Sequence, residues 1–244
     1  MTSIFYITFI GFLTGILGTV GGGIIILLLK KIEENFLTFI LGISAGIMTV
    51  VVFLDLIPEA LDIGTDISTL SGMFLGVGLI GLLDFVFPHQ HFQGKIRNTY
   101  YKAGMLLAVG IALHNIPEGL AIGAGYSAAQ NLGLGLAIII GIHNFPEGMA
   151  LATSLCLAGF SSVQILLITF LAGLPMGLGA FAGAYLGKIS PFSLSLALGF
   201  AAGAMLFITF DDLIPAAHEK NTGKLAIIGI LLGVFLGIFM TGYF

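Results

Sequence analysis

The chain has 244 residues, of which 58% are hydrophobic and 8% charged, with a formal net charge of −4. A soluble domain carries about a quarter charged residues, so this composition excludes a water-covered globular surface. With 8 Lys and Arg in all it lacks a basic footprint for nucleic acid, and a single cysteine, Cys156, excludes an intrachain disulfide and a multi-thiolate metal site.

Apolar runs recur along the whole length, each long enough to cross a hydrocarbon core of about 30 Å as a helix. The sequence therefore predicts an all-α integral membrane protein, one transmembrane domain over residues 1–244, whose binding partners include the lipid bilayer. Polar and turn-forming clusters divide it into eight spans, at 4–29, 36–60, 68–87, 100–124, 132–155, 163–187, 191–216 and 224–243.

No basic residue precedes the first span and no cleavage pattern follows it, so it reads as a retained helix. The second ends in "DLIPEA", with Asp55 and Glu59 near its outer end. Asp84, late in the third, reads as an interfacial helix-end residue. The loop "PHQHFQGKIRN" that follows carries His89 and His91, for which a short solvated loop is sufficient explanation.

The fourth and fifth spans carry a duplicated motif, "HNIPEG" at His114–Gly119 and "HNFPEG" at His143–Gly148. The sixth contains "FLAGLPMGLGAF", with Leu174 before Pro175; the seventh ends in Asp211 and Asp212, with His218 beyond; the eighth is uniformly apolar. Met48, Met105, Met176 and Met205 read as packing residues.

With the N-terminus outside, the cytoplasmic connections hold Lys30, Lys31, Lys95, Arg97, Lys102, Lys220 and Lys224, and the outer ones only Lys188. This distribution obeys the positive-inside rule and places both termini outside.

Sliding the sequence by 157 residues lays Gly42–Ala60 on Gly199–Ala217 with ten of nineteen positions identical, Asp55 on Asp212 and Pro58 on Pro215 among them. At the same offset Gly72 and Gly76 fall on Gly229 and Gly233, so one register joins spans two and three to spans seven and eight. A displacement of five crossings reverses orientation. The expected architecture is an inverted repeat of spans 1–3 and 6–8 around a central pair, 4 and 5, with the duplicated motif near the midplane, as in many secondary transporters.

Residues four apart share a helix face, so His114 pairs with Glu118 and His143 with Glu147, bordered by Asn115 and Asn144. Facing helices would gather two imidazoles, two carboxylates and two amides around one small volume. Pro117 and Pro146 lack the N–H groups that would bond the Leu113 and Ile142 carbonyls, which frees further oxygens. Uncompensated carboxylates inside a membrane cost several kcal/mol, and a divalent cation removes that penalty. Imidazole and carboxylate suit Zn²⁺, Fe²⁺ or Mn²⁺, and the lack of thiolates argues against Cu⁺. Because the ligands bind deprotonated, metal transfer would exchange with protons. Asp55, Glu59, Asp211 and Asp212 are candidate approach and release stations along the path.

The paired motifs, the eight spans with both ends outside and "DLIPEA" together resemble the ZIP (Zrt/Irt-like) family of metal transporters, in its compact bacterial and archaeal branch. The resemblance covers essentially the whole chain. It implies a transporter, not an enzyme, that moves zinc, or iron, manganese, cobalt or cadmium, into the cytoplasm across the plasma membrane, without a prosthetic group. It carries the ligand role to His114, Asn115, Glu118, His143, Asn144 and Glu147, and a cytoplasmic-side metal station to Asp211 and Asp212. It also implies a homodimer and an elevator-like shift of the site-bearing helices. Many relatives have a glutamate before the span-six proline that helps to hold a second metal; Leu174 stands there, which implies one dominant ion. Two rival readings are an intramembrane metalloenzyme using the same His and Glu cluster, though the chain has no HExxH segment, and a passive metal channel.

Overall fold

The computed structural model describes residues 3–29, 33–86, 97–218 and 223–242. The His89 and His91 loop, and Lys30, Lys31, Lys95 and Lys220 of the charge argument, lie outside the described residues, and of Asp84, Arg97 and Lys102 only the backbone is described.

Among the described residues the chain is helical and contains no strand: α1 (Ile4–Leu29), α2 (Glu34–Val50), α3 (Ile57–Ile63), α4 (Asp66–Val86), α5 (Arg97–Ala128), α6 (Gln130–Ala158), α7 (Ser162–Gly173), α8 (Pro175–Leu186), α9 (Pro191–Ile208), α10 (Ile214–His218) and α11 (Gly223–Thr241). Seven helical stretches of the described residues are long and apolar enough to cross a membrane, and a shorter apolar helix, Asp66–Leu82, lies within α4. Their outward surfaces are apolar, with Phe5, Phe74, Phe85, Val163 and Phe235 each more than two-thirds exposed. Such faces suit lipid, and the chain is a multi-pass membrane protein.

Local chemistry accounts for where the helices break. α7 begins with a capping box in which the Ser161 hydroxyl accepts from Gln164 N while the Gln164 side chain accepts from Ser161 N. α9 repeats the device with Ser190 and Ser193, and Pro191 fills its first turn, where no N–H is needed. α6 ends at Gly159 with φ 86°, a left-handed position that glycine occupies at no steric cost. In the sixth span Pro175 cannot donate to the carbonyl four residues back, and the helix divides into α7 and α8 around Leu174.

Two features have no counterpart in the sequence reading. α2 and α3 are joined by a π-helical turn, Val51–Leu56, and α9 and α10 by another, Thr209–Leu213. Each lies just before a proline, Pro58 or Pro215, whose missing N–H leaves a carbonyl that the wider turn accommodates. The turns fall on matching positions of the repeat and contain its aspartates, Asp55 and Asp212. By contrast α5 and α6 run continuously through Pro117 and Pro146.

Packing sorts the helices into two groups. In the first, α1, α5, α6, α7 and α8 meet at backbone distance: a Cβ on Gly119 of α5 would collide with the Met176 carbonyl of α8, and one on Gly22 of α1 with the Phe145 carbonyl of α6. In the second, α2 meets α11 and α4 meets α9 in the same way, Gly46 against the Ile230 carbonyl and Gly76 against that of Phe200. Small residues permit such approach in membranes, where dispersion replaces the hydrophobic effect as the force between helices. Buried hydroxyls tie the second group further: Ser195 donates to the Ala60 carbonyl at 2.8 Å, with Ser68 and Thr69 hydroxyls 2.8 and 3.1 Å from it. Between the groups, α5 packs on α9 and α2 on α6, and the backbone-level glycine approaches of the described residues fall inside one group or the other.

Candidate metal centre

The repeated proline motif occupies the middle of α5 and α6, and helical spacing turns its polar groups to one side of each helix. Six side chains meet there, all at most 6% exposed: His114, Asn115 and Glu118 from α5, and His143, Asn144 and Glu147 from α6. His143 Nε2 lies 3.0 Å from Glu118 Oε1 and 3.6 Å from Glu147 Oε1. One ligand atom each from Glu118, His143 and Glu147 falls within 4.8 Å of the others, the only such metal-competent group among the described residues.

The site gathers more acceptors than donors. Apart from the His143 ring, neither oxygen of Glu147 meets a hydrogen-bond donor among the described residues. Buried acceptors without donors are costly, and a cation would offset that cost. The separations also fit: two ligands on a tetrahedral ion with bonds near 2.0 Å stand about 3.3 Å apart, close to what His143 keeps with the two carboxylates. A nitrogen and oxygen donor set of this kind suits a borderline divalent cation such as zinc.

The two amides behave differently from the acids and imidazoles. Asn115 Nδ2 donates to the Ala172 carbonyl of α7 at 2.8 Å, and the Asn144 amide lies between Asn115 Oδ1, 3.1 Å away, and Glu118 Oε2, 3.3 Å away. The other helix group also reaches the cluster. Asp212 Oδ2, in the second π-helical turn, lies 3.1 Å from His114 Nε2, and the Ser44 hydroxyl of α2 donates to the His143 carbonyl at 3.1 Å.

The sequence-based candidates divide accordingly. The six residues of the duplicated motif converge as expected. Asp212, which the family resemblance assigns together with Asp211 to a cytoplasmic-side station, is half-buried with Oδ2 close to His114, and its neighbour Asp211 is exposed. Asp55 and Glu59 are half-buried in the first π-helical turn and in α3, outside the metal-competent group, and the exposed His218 has Nδ1 2.8 Å from the Ile214 carbonyl. Ser44 and Ala172 carry no sequence signal. They enter only through tertiary contact.

Taken together, a multi-pass helical membrane protein with a buried His and Glu cluster fits a metal-handling membrane protein. The ZIP Zinc transporter family profile matches residues 88–241. The chain is similar to the protein named Zinc transporter ZupT of Chlorobium limicola, 36% identical over 87% of this chain and 88% of that protein. It is 34% identical to the ZupT of Corynebacterium glutamicum, over 93% of this chain and 92% of the relative. With the ZupT of Akkermansia muciniphila it shares 32% identity, over 94% and 92%. The chain belongs to the ZIP zinc transporter family, a family of transporters rather than enzymes.

Proposed function

We propose that this protein carries divalent transition-metal ions, zinc foremost, across the plasma membrane into the cytoplasm, using the α5 and α6 cluster as its transport site. The observation that carries the reading is the buried Glu118, His143 and Glu147 group, whose ligand atoms lie within 4.8 Å of one another. His114 and Asn144 border the same volume and complete the donor set, and Asp212 joins it through His114. The names of the zinc transporters to which the chain is similar support zinc as the ion. Fe²⁺, Mn²⁺, Co²⁺ and Cd²⁺ are secondary cargoes that the same donors accept.

The chain forms one transporter domain of eight crossings in which spans 1–3 and 6–8 are an inverted repeat and both termini face outward. The matching π-helical turns at repeat-related positions support that symmetry, with Asp55 and Asp212 in corresponding places. Transport proceeds by alternating access. The glycine-packed group of α1, α5, α6, α7 and α8 moves as a body past the group of α2, α3, α4, α9, α10 and α11, carrying the ion with it. Among the described residues no backbone-level glycine lock joins the groups, which favours such a slide, because side-chain contacts are re-made more easily than interlocked backbones. A homodimer, as the family commonly forms, supplies a fixed partner against which one group moves.

Uptake of Zn²⁺ and the other four ions into liposomes containing the purified protein, compared with the Glu118→Ala plus Glu147→Ala variant, tests the reading. Saturable uptake lost in the variant supports a carrier. Uptake that does not saturate favours a channel, and equal uptake by both proteins removes the site from the mechanism.

A further inference from the structure

If the two groups of helices slide past one another, as proposed above, the polar contacts that cross between them have to break, and one of these lands on the backbone of the cluster. Ser44, fully buried in α2, donates its hydroxyl to the His143 carbonyl of α6 at 3.1 Å. Many hydroxyls in these helices turn back on their own helix: Thr8, Thr49, Thr153, Ser154 and Thr209 each donate to the carbonyl four residues earlier. Ser44 sends its proton across the interface instead.

The position of the acceptor matters. α6 is a continuous helix here, and in such a helix the carbonyl of His143 is also the one that receives the N–H of Glu147, four residues on. The Ser44 hydroxyl therefore bonds at the backbone link between the two residues that α6 contributes to the metal-competent group. Its bond is to the backbone, so it fixes where α6 stands without taking a ligand atom from the ion. Around this bond the packing is open. A cavity of about 490 Å³ lies between α1, α2 and α6, with Ser44 and His143 in its wall beside Ile25, Ile40, Ile43, Phe145 and Met149. Within its own group, by contrast, α6 meets α1 at backbone distance, where a Cβ on Gly148 would collide with the Thr19 carbonyl. A single directional bond beside open space is released without repacking a close-packed interface.

We propose that Ser44 is a positioning residue for transport: its hydroxyl ties the site-bearing helix α6 to α2 in this arrangement, and the cluster moves past α2 only when that bond is released. Ser44 thereby sets how the protein divides its time between this arrangement and the displaced one.

Distances between the groups test the tie. Spin labels at Val163→Cys on α7 and Phe235→Cys on α11, both largely exposed, are read by pulsed electron resonance in the reconstituted full-length protein, with Cys156→Ser removing the native thiol. Three substitutions separate the bond from packing. Ser44→Ala removes the hydroxyl; Ser44→Thr keeps it, with the cavity alongside to take the extra methyl; Ser44→Val has the shape of threonine without the donor. The parent and Ser44→Thr should divide between the same two distances in similar ratio. Ser44→Ala and Ser44→Val should shift that ratio about fivefold away from this arrangement, the effect of one net hydrogen bond. A loss of packing alone would lower the unfolding midpoint of Ser44→Ala and leave the ratio where it was. If Ser44→Thr fails to fold, Ser44→Ala against the parent decides. A ratio unchanged in Ser44→Ala, or equal in Ser44→Thr and Ser44→Val, would overturn the assignment. One and the same distance in the parent and in every variant would remove the sliding of the groups itself, a result distinct from either of these.

Discussion

His114 Nε2 lies 3.1 Å from Asp212 Oδ2, and this contact joins the two groups of helices at the cluster. His114 belongs to α5, in the group that carries the motif. Asp212 belongs to the π-helical turn before Pro215, in the other group. The contact must change if the groups slide past one another as proposed, so Asp212 is expected to bear on transport as well as on the cluster.

Asp212→Ala is accordingly expected to lower the rate of zinc uptake into liposomes about tenfold, the scale on which loss of a ligand's supporting partner is felt. Equilibrium zinc affinity should change less, because Glu118, His143 and Glu147 remain. Asp211→Ala, on an exposed part of the same turn, should lower uptake less than Asp212→Ala does. Uptake and binding measured on the two variants side by side check the distinction.

Zinc should stabilise the parent protein and not the double glutamate variant. A ligand that binds only the folded state at 100 times its dissociation constant contributes about 2.7 kcal/mol. Thermal unfolding of the detergent-solubilised protein, with and without saturating Zn²⁺, should show an upward shift for the parent and none for Glu118→Ala plus Glu147→Ala.

The glycine contacts predict a position-dependent response to added carbon. Gly119→Val drives a branched side chain into the Met176 backbone between α5 and α8, and overpacking of this kind costs about 1–3 kcal/mol. At Gly78 an added Cβ would meet nothing within 4 Å, and Gly78→Ala gains helix propensity of about 0.5–1 kcal/mol. Unfolding midpoints should therefore fall for the first and hold or rise for the second.

Loss of Ser195 tests the buried hydroxyl network that binds α3, α4 and α9. Ser195→Ala leaves the Ser68 and Thr69 hydroxyls and the Ala60 carbonyl short of a partner and should cost about 1–3 kcal/mol. The network lies in the group without the motif, so zinc affinity should be unchanged. Paired measurements of stability and binding verify both halves.

The cluster is legible in the sequence because it depends on spacing within single helices. His114 and Glu118, and His143 and Glu147, are four residues apart, and a duplicated pattern predicts that two faces meet. The apolar segmentation likewise marks where helices run. The π-helical turns have no such signal: a proline says that a carbonyl loses its donor, and not whether the helix kinks, breaks or widens. Pro117 and Pro146 leave their helices continuous, Pro175 interrupts its helix, and Pro58 and Pro215 follow π-helical turns. Asp212 stands out in the sequence as a candidate residue, but its approach to His114 depends on such a turn. The bonds from Asn115 to Ala172 and from Ser44 to His143 join residues far apart in the chain and have no local pattern to announce them.

The central claim is that one divalent ion is held between α5 and α6. Diffraction at the zinc absorption edge from crystals of the zinc-loaded protein tests it most directly. The account predicts an anomalous peak bounded by Glu118, His143 and Glu147, at bonding distances near 2.0–2.2 Å. A zinc-loaded crystal with no peak at this cluster, and its zinc bound elsewhere, would contradict it.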